Sequence, residues 1–129
     1  MSHCVLVVED EPHIVESLSF LMKQAGHIVR IARDGDAAMR MMMAETPDVV
    51  LLDVMLPRRD GLAVCHDIRA NEAWRDVKII MLTAKGQELD RRKGLEMGAD
   101  DYIIKPFSTR DIVERVAALL PEKSGDEDK

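Results

Sequence analysis

This chain has no surplus of positive charge, no long apolar stretch and very little cysteine, and each shortage removes a class of function. Its 18 Lys and Arg stand against 24 Asp and Glu, a formal charge of −6. Phosphate recognition draws on clustered cations, so direct nucleic-acid binding is not expected. No apolar run nears the ~18 residues that span a bilayer, so no membrane role is expected either. The opening MSHCVLVVEDE has no basic stretch ahead of its apolar run and reaches acid at Glu9, unlike a secretory signal. Cys4 and Cys65 lack C-x-x-C spacing and are flanked by apolar residues. That is the pattern of buried free thiols in a reducing cytoplasm, not of a disulfide framework or redox pair. His3, His13, His27 and His66 share no metal-ligand spacing, which argues against a zinc site.

What is present is alternation. At 129 residues the chain fits one domain, large enough to bury roughly two-thirds of its unfolded surface without disulfide staples. Cys4–Val8 reads as a first strand. Pro12 then suits the first turn of a helix, Ile14, Leu18, Leu21, Met22 and Ala25 recur at helical spacing, and Gly26 stops the run. Ile28–Ala32 is a more polar, edge-like second strand. Asp34-Gly35 is a turn and cap, and Asp36–Glu45 a second helix, broken at Thr46-Pro47-Asp48. Val49–Leu52 is a third strand, apolar throughout and therefore buried on both faces. After a loop over Pro57–Gly61 come a third helix over Leu62–Asn71, a fourth strand over Val77–Leu82 and a fourth helix over Gln87–Met97. Tyr102–Ile104 is a fifth strand, and Ser108–Leu120 a fifth helix capped by Ser108 or Thr109 and ended by Pro121. Residues 1–121 form the domain. Glu122–Lys129 lacks apolar residues and is expected to be a disordered acidic tail or the start of a linker.

Five strands alternating with five helices predict an open, doubly wound α/β parallel sheet. The most uniformly apolar strands, the first and third, belong at its centre. Ligands gather at the carboxyl ends of such strands, above all where strand order reverses. The residues that end the apolar runs are Glu9-Asp10, Asp53, Thr83 and Lys105, so three carboxylates, a hydroxyl and an ammonium are expected on one rim. Three unpaired carboxylates would repel one another. A magnesium ion resolves that repulsion, because it takes oxygen ligands and keeps waters that a phosphate can displace. Asp53, at the centre, is the candidate nucleophile toward a phosphoryl donor. Phosphoryl transfer asks mainly for positioning and charge neutralisation. Lys105 supplies a flexible point charge and Thr83 a hydroxyl donor.

VLVVEDE, PDVVLLDVMLP, IIMLTA and GADDYIIKPF, in this order and spacing from about Cys4 to Leu120, resemble the receiver domain of bacterial response regulators. The resemblance implies a CheY-like, flavodoxin-like sheet in the order 2-1-3-4-5. It makes Asp10 and Asp53 direct magnesium ligands, Glu9 a ligand through water and the Met55 backbone carbonyl a further ligand. Asp53 would be the phosphoacceptor, Thr83 and Tyr102 the switch pair, Lys105 the phosphate-binding lysine and Lys105-Pro106 a cis peptide. The implied donor is a sensor histidine kinase or a histidine phosphotransfer protein. The implied chemistry is confined to the chain's own phosphorylation and dephosphorylation, in the cytoplasm. The segment GADDYIIKPFSTRDIVERV resembles receivers of winged-helix transcription factors, which implies a phosphorylation-dependent homodimer through the fourth helix, fifth strand and fifth helix.

The chain departs from the family pattern in places. Glu9 stands where Asp is commoner, and Arg58-Arg59 occupies a loop often rich in glycine or holding methionine. Met55 and Lys85 fill positions that tune the phosphoryl lifetime, and a thioether does not orient water by a strong hydrogen bond. The fourth helix is weak by pattern, with Gly94 costing about 1 kcal/mol relative to Ala, so it is the element expected to move when phosphoryl-Asp53 draws Thr83 inward and Tyr102 follows. Met39 and Met41–Met43 read as core filling, and Trp74 as a cover over the third helix. Three other readings compete. A dehalogenase-class hydrolase wants a second Asp where Met55 stands. A nucleotide binder wants a Gly/Ser/Thr-rich loop where Glu9-Asp10-Glu11 stands. An unphosphorylated receiver-like scaffold would not need the full residue set present here.

Overall fold

A computed structural model describes residues 3–84, 96 and 98–120. Five parallel strands, β1 (Cys4–Val8), β2 (Ile28–Ala32), β3 (Val49–Asp53), β4 (Lys78–Ala84) and β5 (Asp101–Lys105), form one sheet in the order β2-β1-β3-β4-β5. Among the described residues there are four α-helices: α1 (Pro12–Gln24), α2 (Gly35–Ala44), α3 (Gly61–Ala70) and α4 (Thr109–Leu119). The helix expected over 87–97 falls, Glu96 apart, outside the described residues, and α4 is the one expected as the fifth. Residues 121–129, with the acidic tail, also lie outside them.

Strand alternation builds the two halves of the core. Val5 and Val7 of β1, Val49 and Leu51 of β3, and Ile80 and Leu82 of β4 pack against Leu18 and Met22 of α1 and Ile112 and Val116 of α4. Leu6, Val8, Val50, Leu52, Ile79 and Met81 turn to the other face, toward Ala38 and Met42 of α2 and Val64, Cys65 and Ile68 of α3. Both faces are covered, so β1 and β3 are buried along their whole length. Full burial of each such side chain contributes ~1.5–3 kcal/mol. Of the methionines expected in the core, Met42 is buried and Met39 and Met41 pack at its edge. Met43 instead stands 76% exposed, because it falls on the outer face of α2. Trp74 is buried in a 3-10 turn (Glu72–Trp74) behind α3.

Short polar residues fix where the helices start. The Asp34, Asp60 and Ser108 side chains accept from the backbone N–H groups of Ala37, Ala63 and Asp111 at 2.7, 2.9 and 3.2 Å, caps worth about 1 kcal/mol each. Neither cysteine is in a disulfide and both are buried, and burial pushes the Cys65 thiol up to about 11, which leaves it inert as a nucleophile. Among the described residues no helix is long and apolar enough to cross a membrane.

Candidate functional site

The register delivers the polar residues to one rim. Val8 pairs with Leu52, so Glu9 and Asp53, one residue further along each strand, emerge side by side where strand order reverses between β1 and β3. Asp53 pairs with Leu82 of β4, which sets Thr83 just beyond it. Lys105, the last residue of β5, pairs with Ala84. Glu9, Asp53 and Thr83 are buried, at 1%, 4% and 2% exposure, while Asp10 is exposed. Glu9, Asp10 and Asp53 each offer one carboxylate oxygen, and these three atoms lie within 4.8 Å of one another.

Lys105 holds the buried pair together. Its Nζ is 3.0 Å from Glu9 Oε1 and 3.3 Å from Asp53 Oδ1. Among the described residues the ion pair with Lys105 is the contact that compensates the buried Glu9 Oε1. The Met55 N–H donates to Asp53 Oδ1 and the Glu11 N–H to Glu9 Oε2, both at 3.2 Å. Burial, and after it the Asp53 charge, push the Glu9 carboxyl above its usual range; Lys105 opposes both.

Of the other expected residues, Met55 lies at the same rim and is 62% exposed. Tyr102 sits lower on β5, opposite Met81, half-buried against the apolar cluster that α2 and α3 cover. The Lys105–Pro106 bond is cis. Sequence reading did not anticipate how tightly the segment after Asp53 is packed. At Gly61 a Cβ would lie 2.2 Å from the Asp53 carbonyl oxygen, so only glycine lets α3 start this close to β3. The Gly61 N–H donates to the Val54 carbonyl at 2.9 Å. Arg58 turns the loop with φ +71, and Arg59 reaches Asp36 on α2 and Asp67 on α3. The only hint in the sequence was the pair of arginines itself.

The donor set suits a hard divalent cation. It is made of oxygen only, carries three formal negative charges, and has one exposed member facing solvent. Magnesium fits these residues: Glu9, Asp10 and Asp53 are the three that would hold it. Among the described residues this is the only group of three His, Cys, Asp or Glu side chains whose ligand atoms come together. His3 and His27 do approach each other, with ring centroids 6.2 Å apart, but among the described residues no third ligand atom joins them.

Comparison with known proteins agrees. The chain matches the model of the response regulator receiver domain over residues 5–117. A structure from Chloroflexus aurantiacus assigned to the response regulators shares 34% identity, with a TM-score of 0.89 over 92% of this chain and 98% of that one. The receiver domain of a signal transduction histidine kinase from Syntrophus aciditrophicus shares 32%, with a TM-score of 0.86 over 92% and 90%. The receiver domain of a sensor histidine kinase from Pseudomonas aeruginosa shares 34%, with a TM-score of 0.81 over 90% and 94%; that structure has a magnesium ion coordinated in its active-site cleft.

Proposed function

We propose a phosphoryl-accepting role from a plain premise: this chain belongs to the response regulator receiver domain family. In this reading Asp53 takes a phosphoryl group from a phosphohistidine on a sensor kinase or phosphotransfer protein. A carboxylate oxygen of Asp53 attacks phosphorus, the phosphorus–nitrogen bond breaks, and the imidazole leaves with the electron pair. The single observation that carries the reading is the Lys105 ammonium set between the buried Glu9 and Asp53 carboxylates at 3.0 and 3.3 Å. It offsets charge on the acceptor at rest and is long and flexible enough to follow the phosphoryl oxygens.

Magnesium, when bound, would neutralise the charge between the acidic residues and the incoming phosphoryl group. Asp10 and Asp53 are the direct ligands of this reading, with the Met55 carbonyl, and Glu9 acts through water. The chain's own residues do the rest. The Met55 N–H orients the Asp53 carboxylate. The packed segment behind it keeps bulk water from one side. Thr83, buried one step beyond the Asp53 pairing on β4, donates its hydroxyl to the new phosphoryl oxygens. The switch follows as Thr83 moves inward and Tyr102 turns with it.

The output face of this reading includes β5 and α4. There Arg115 already bridges Asp101 at 2.9 Å and Asp111 at 3.0 Å within the chain, and Arg110 pairs with Glu114. Such exposed pairs contribute little singly, so they can exchange for partners across a homodimer at small cost. Arg91, Arg92 and Lys93, also expected on this face, lie outside the described residues. The deciding experiment is intact mass after incubation with acetyl phosphate and magnesium, with size-exclusion chromatography of the same samples. One added phosphoryl group on wild type and none on Asp53→Asn is expected, with a shift toward dimer on the phosphorylated sample. No addition to folded wild-type protein from acetyl phosphate or from a phosphohistidine donor would overturn the reading.

A further inference from the structure

We infer that Arg59 is a positioning residue for magnesium: it clasps the segment between Asp53 and α3 onto α2, and that clasp sets the affinity of the carboxylate site. The inference rests on the proposed reading of Glu9, Asp10, Asp53 and the Met55 carbonyl as the metal site, and adds a residue outside it.

The geometry has three parts. The Arg59 side chain spans two helices, with Nη1 2.7 Å from Asp67 Oδ2 on α3 and Nε 3.4 Å from Asp36 Oδ1 on α2. Its backbone is pressed against the first residue of α2: a Cβ at Gly35 would lie 2.1 Å from the Arg59 carbonyl oxygen and 2.5 Å from its Cβ. The loop is also closed by backbone hydrogen bonds. The N–H groups of Gly35 and Arg59 both donate to the Pro57 carbonyl, at 3.4 and 2.8 Å. The segment carrying Met55 is thus held at its far end by α2 and α3, and at its near end by Asp53 itself.

Magnesium is the ion for which such holding matters. It demands near-ideal octahedral geometry at about 2.0–2.1 Å, so a small drift of one backbone ligand costs affinity that a calcium site would keep. An exposed ion pair contributes little to stability; its effect on a distant ligand's position is a separate quantity, and that quantity is the one at issue.

The sign of the effect separates this idea from simple electrostatics. Among the described residues neither Arg58 nor Arg59 pairs with a site carboxylate; their ion-pair partners are Asp34, Asp36 and Asp67. Removing either cation makes the neighbourhood more negative, so Coulomb's law alone predicts tighter magnesium binding in both variants. A clasp predicts weaker binding for Arg59 only.

The test is isothermal titration with magnesium chloride on the full chain, with melting temperature as a check on folding. Arg59→Gln is expected to weaken binding about tenfold, as loss of a group supporting a metal ligand does. Arg58→Gln is expected to leave it unchanged or slightly tighter. Gly35→Ala, which alters no charge, is expected to weaken it through its collision with Arg59. If Gly35→Ala does not fold, Arg59→Gln still decides. Arg59→Gln binding as tightly as wild type, or tighter, overturns the inference while leaving the site reading intact. Magnesium binding equally well to wild type and Asp53→Asn, or to neither, overturns the site reading and the clasp with it.

Discussion

Replacing Lys105 with methionine removes the one cation that, among the described residues, faces two buried carboxylates, and the cost can be worked from the distances. Nζ lies 3.0 Å from Glu9 and 3.3 Å from Asp53, so at an effective dielectric of ~20 each contact carries ~5 kcal/mol of gross attraction. Most of that offsets the loss of hydration. Removing one member of a buried ion pair nevertheless costs ~3–5 kcal/mol, because the charges left behind have no partner. Lys105 keeps 19% of its side-chain surface exposed, so water can partly replace it and the lower end, ~3 kcal/mol, is the expected loss. For a chain of this size that is a drop of about 10 °C in melting temperature.

The pH dependence carries a sign. Burial and Asp53 already push Glu9 up, against Lys105, and without Lys105 it rises further. The variant's deficit is therefore full where Glu9 is ionised and shrinks as acid protonates it. Urea unfolding followed by circular dichroism, in EDTA near pH 8 and near pH 5, would read both numbers. Glu9→Gln added to Lys105→Met should recover stability, since it removes one of the two orphaned charges. A deficit below ~1 kcal/mol near pH 8, the scale of an exposed pair, would refute the argument, as would a deficit that stays the same near pH 5.

Two further outcomes follow from local geometry. Arg58 sits at φ +71, a conformation that costs a side-chain-bearing residue ~1 kcal/mol or more and glycine almost nothing. Its bridge to Asp34 at 3.5 Å is largely exposed and contributes little. Arg58→Gly is therefore expected to raise the melting temperature by a few degrees, and a fall in a thermal melt would contradict the strain. At the opposite pole of the sheet, burial and then neighbouring His3 hold His27 below the usual imidazole range, with Asp48 opposing. The unfolded chain then binds more protons than the folded one, so the stabilising effect is full above the ordinary histidine range and is lost as pH falls through and below it. His27→Gln should flatten the decline in stability between pH 7 and pH 5, and an unchanged slope would refute the assignment.

The elements were legible because burial on both faces leaves a continuous apolar signature, as in VLVV and VVLL. Ladder pairing is a backbone property with no such signature. Asp101 and Lys105 therefore joined β5 unannounced, opposite Ile80 and Ala84. Apolarity alone put the first and third strands at the centre and the second at an edge; the full order came from family resemblance, since no residue in an isolated strand says which strand lies beside it. At the site, residue types at strand ends were enough to place Glu9, Asp53, Thr83 and Lys105 on one rim, because every parallel strand ends there. What they did not show was the pairing. Glu9 reads as an acid reaching metal through water, yet it lies buried against an ammonium from the far end of the chain. The clasp was hidden for the same reason: the partners of Arg59 sit on two different helices, and no local spacing relates them. Gly35 and Gly61 read as ordinary residues of a turn and of a loop. Each is instead a place where another backbone comes too close for a Cβ. A glycine at the first turn of a helix, where serine or aspartate would start the helix equally well, therefore points to a neighbour at that spot. Here the neighbours are Arg59 and the carbonyl of Asp53, the two groups between which the proposed metal-binding segment is held.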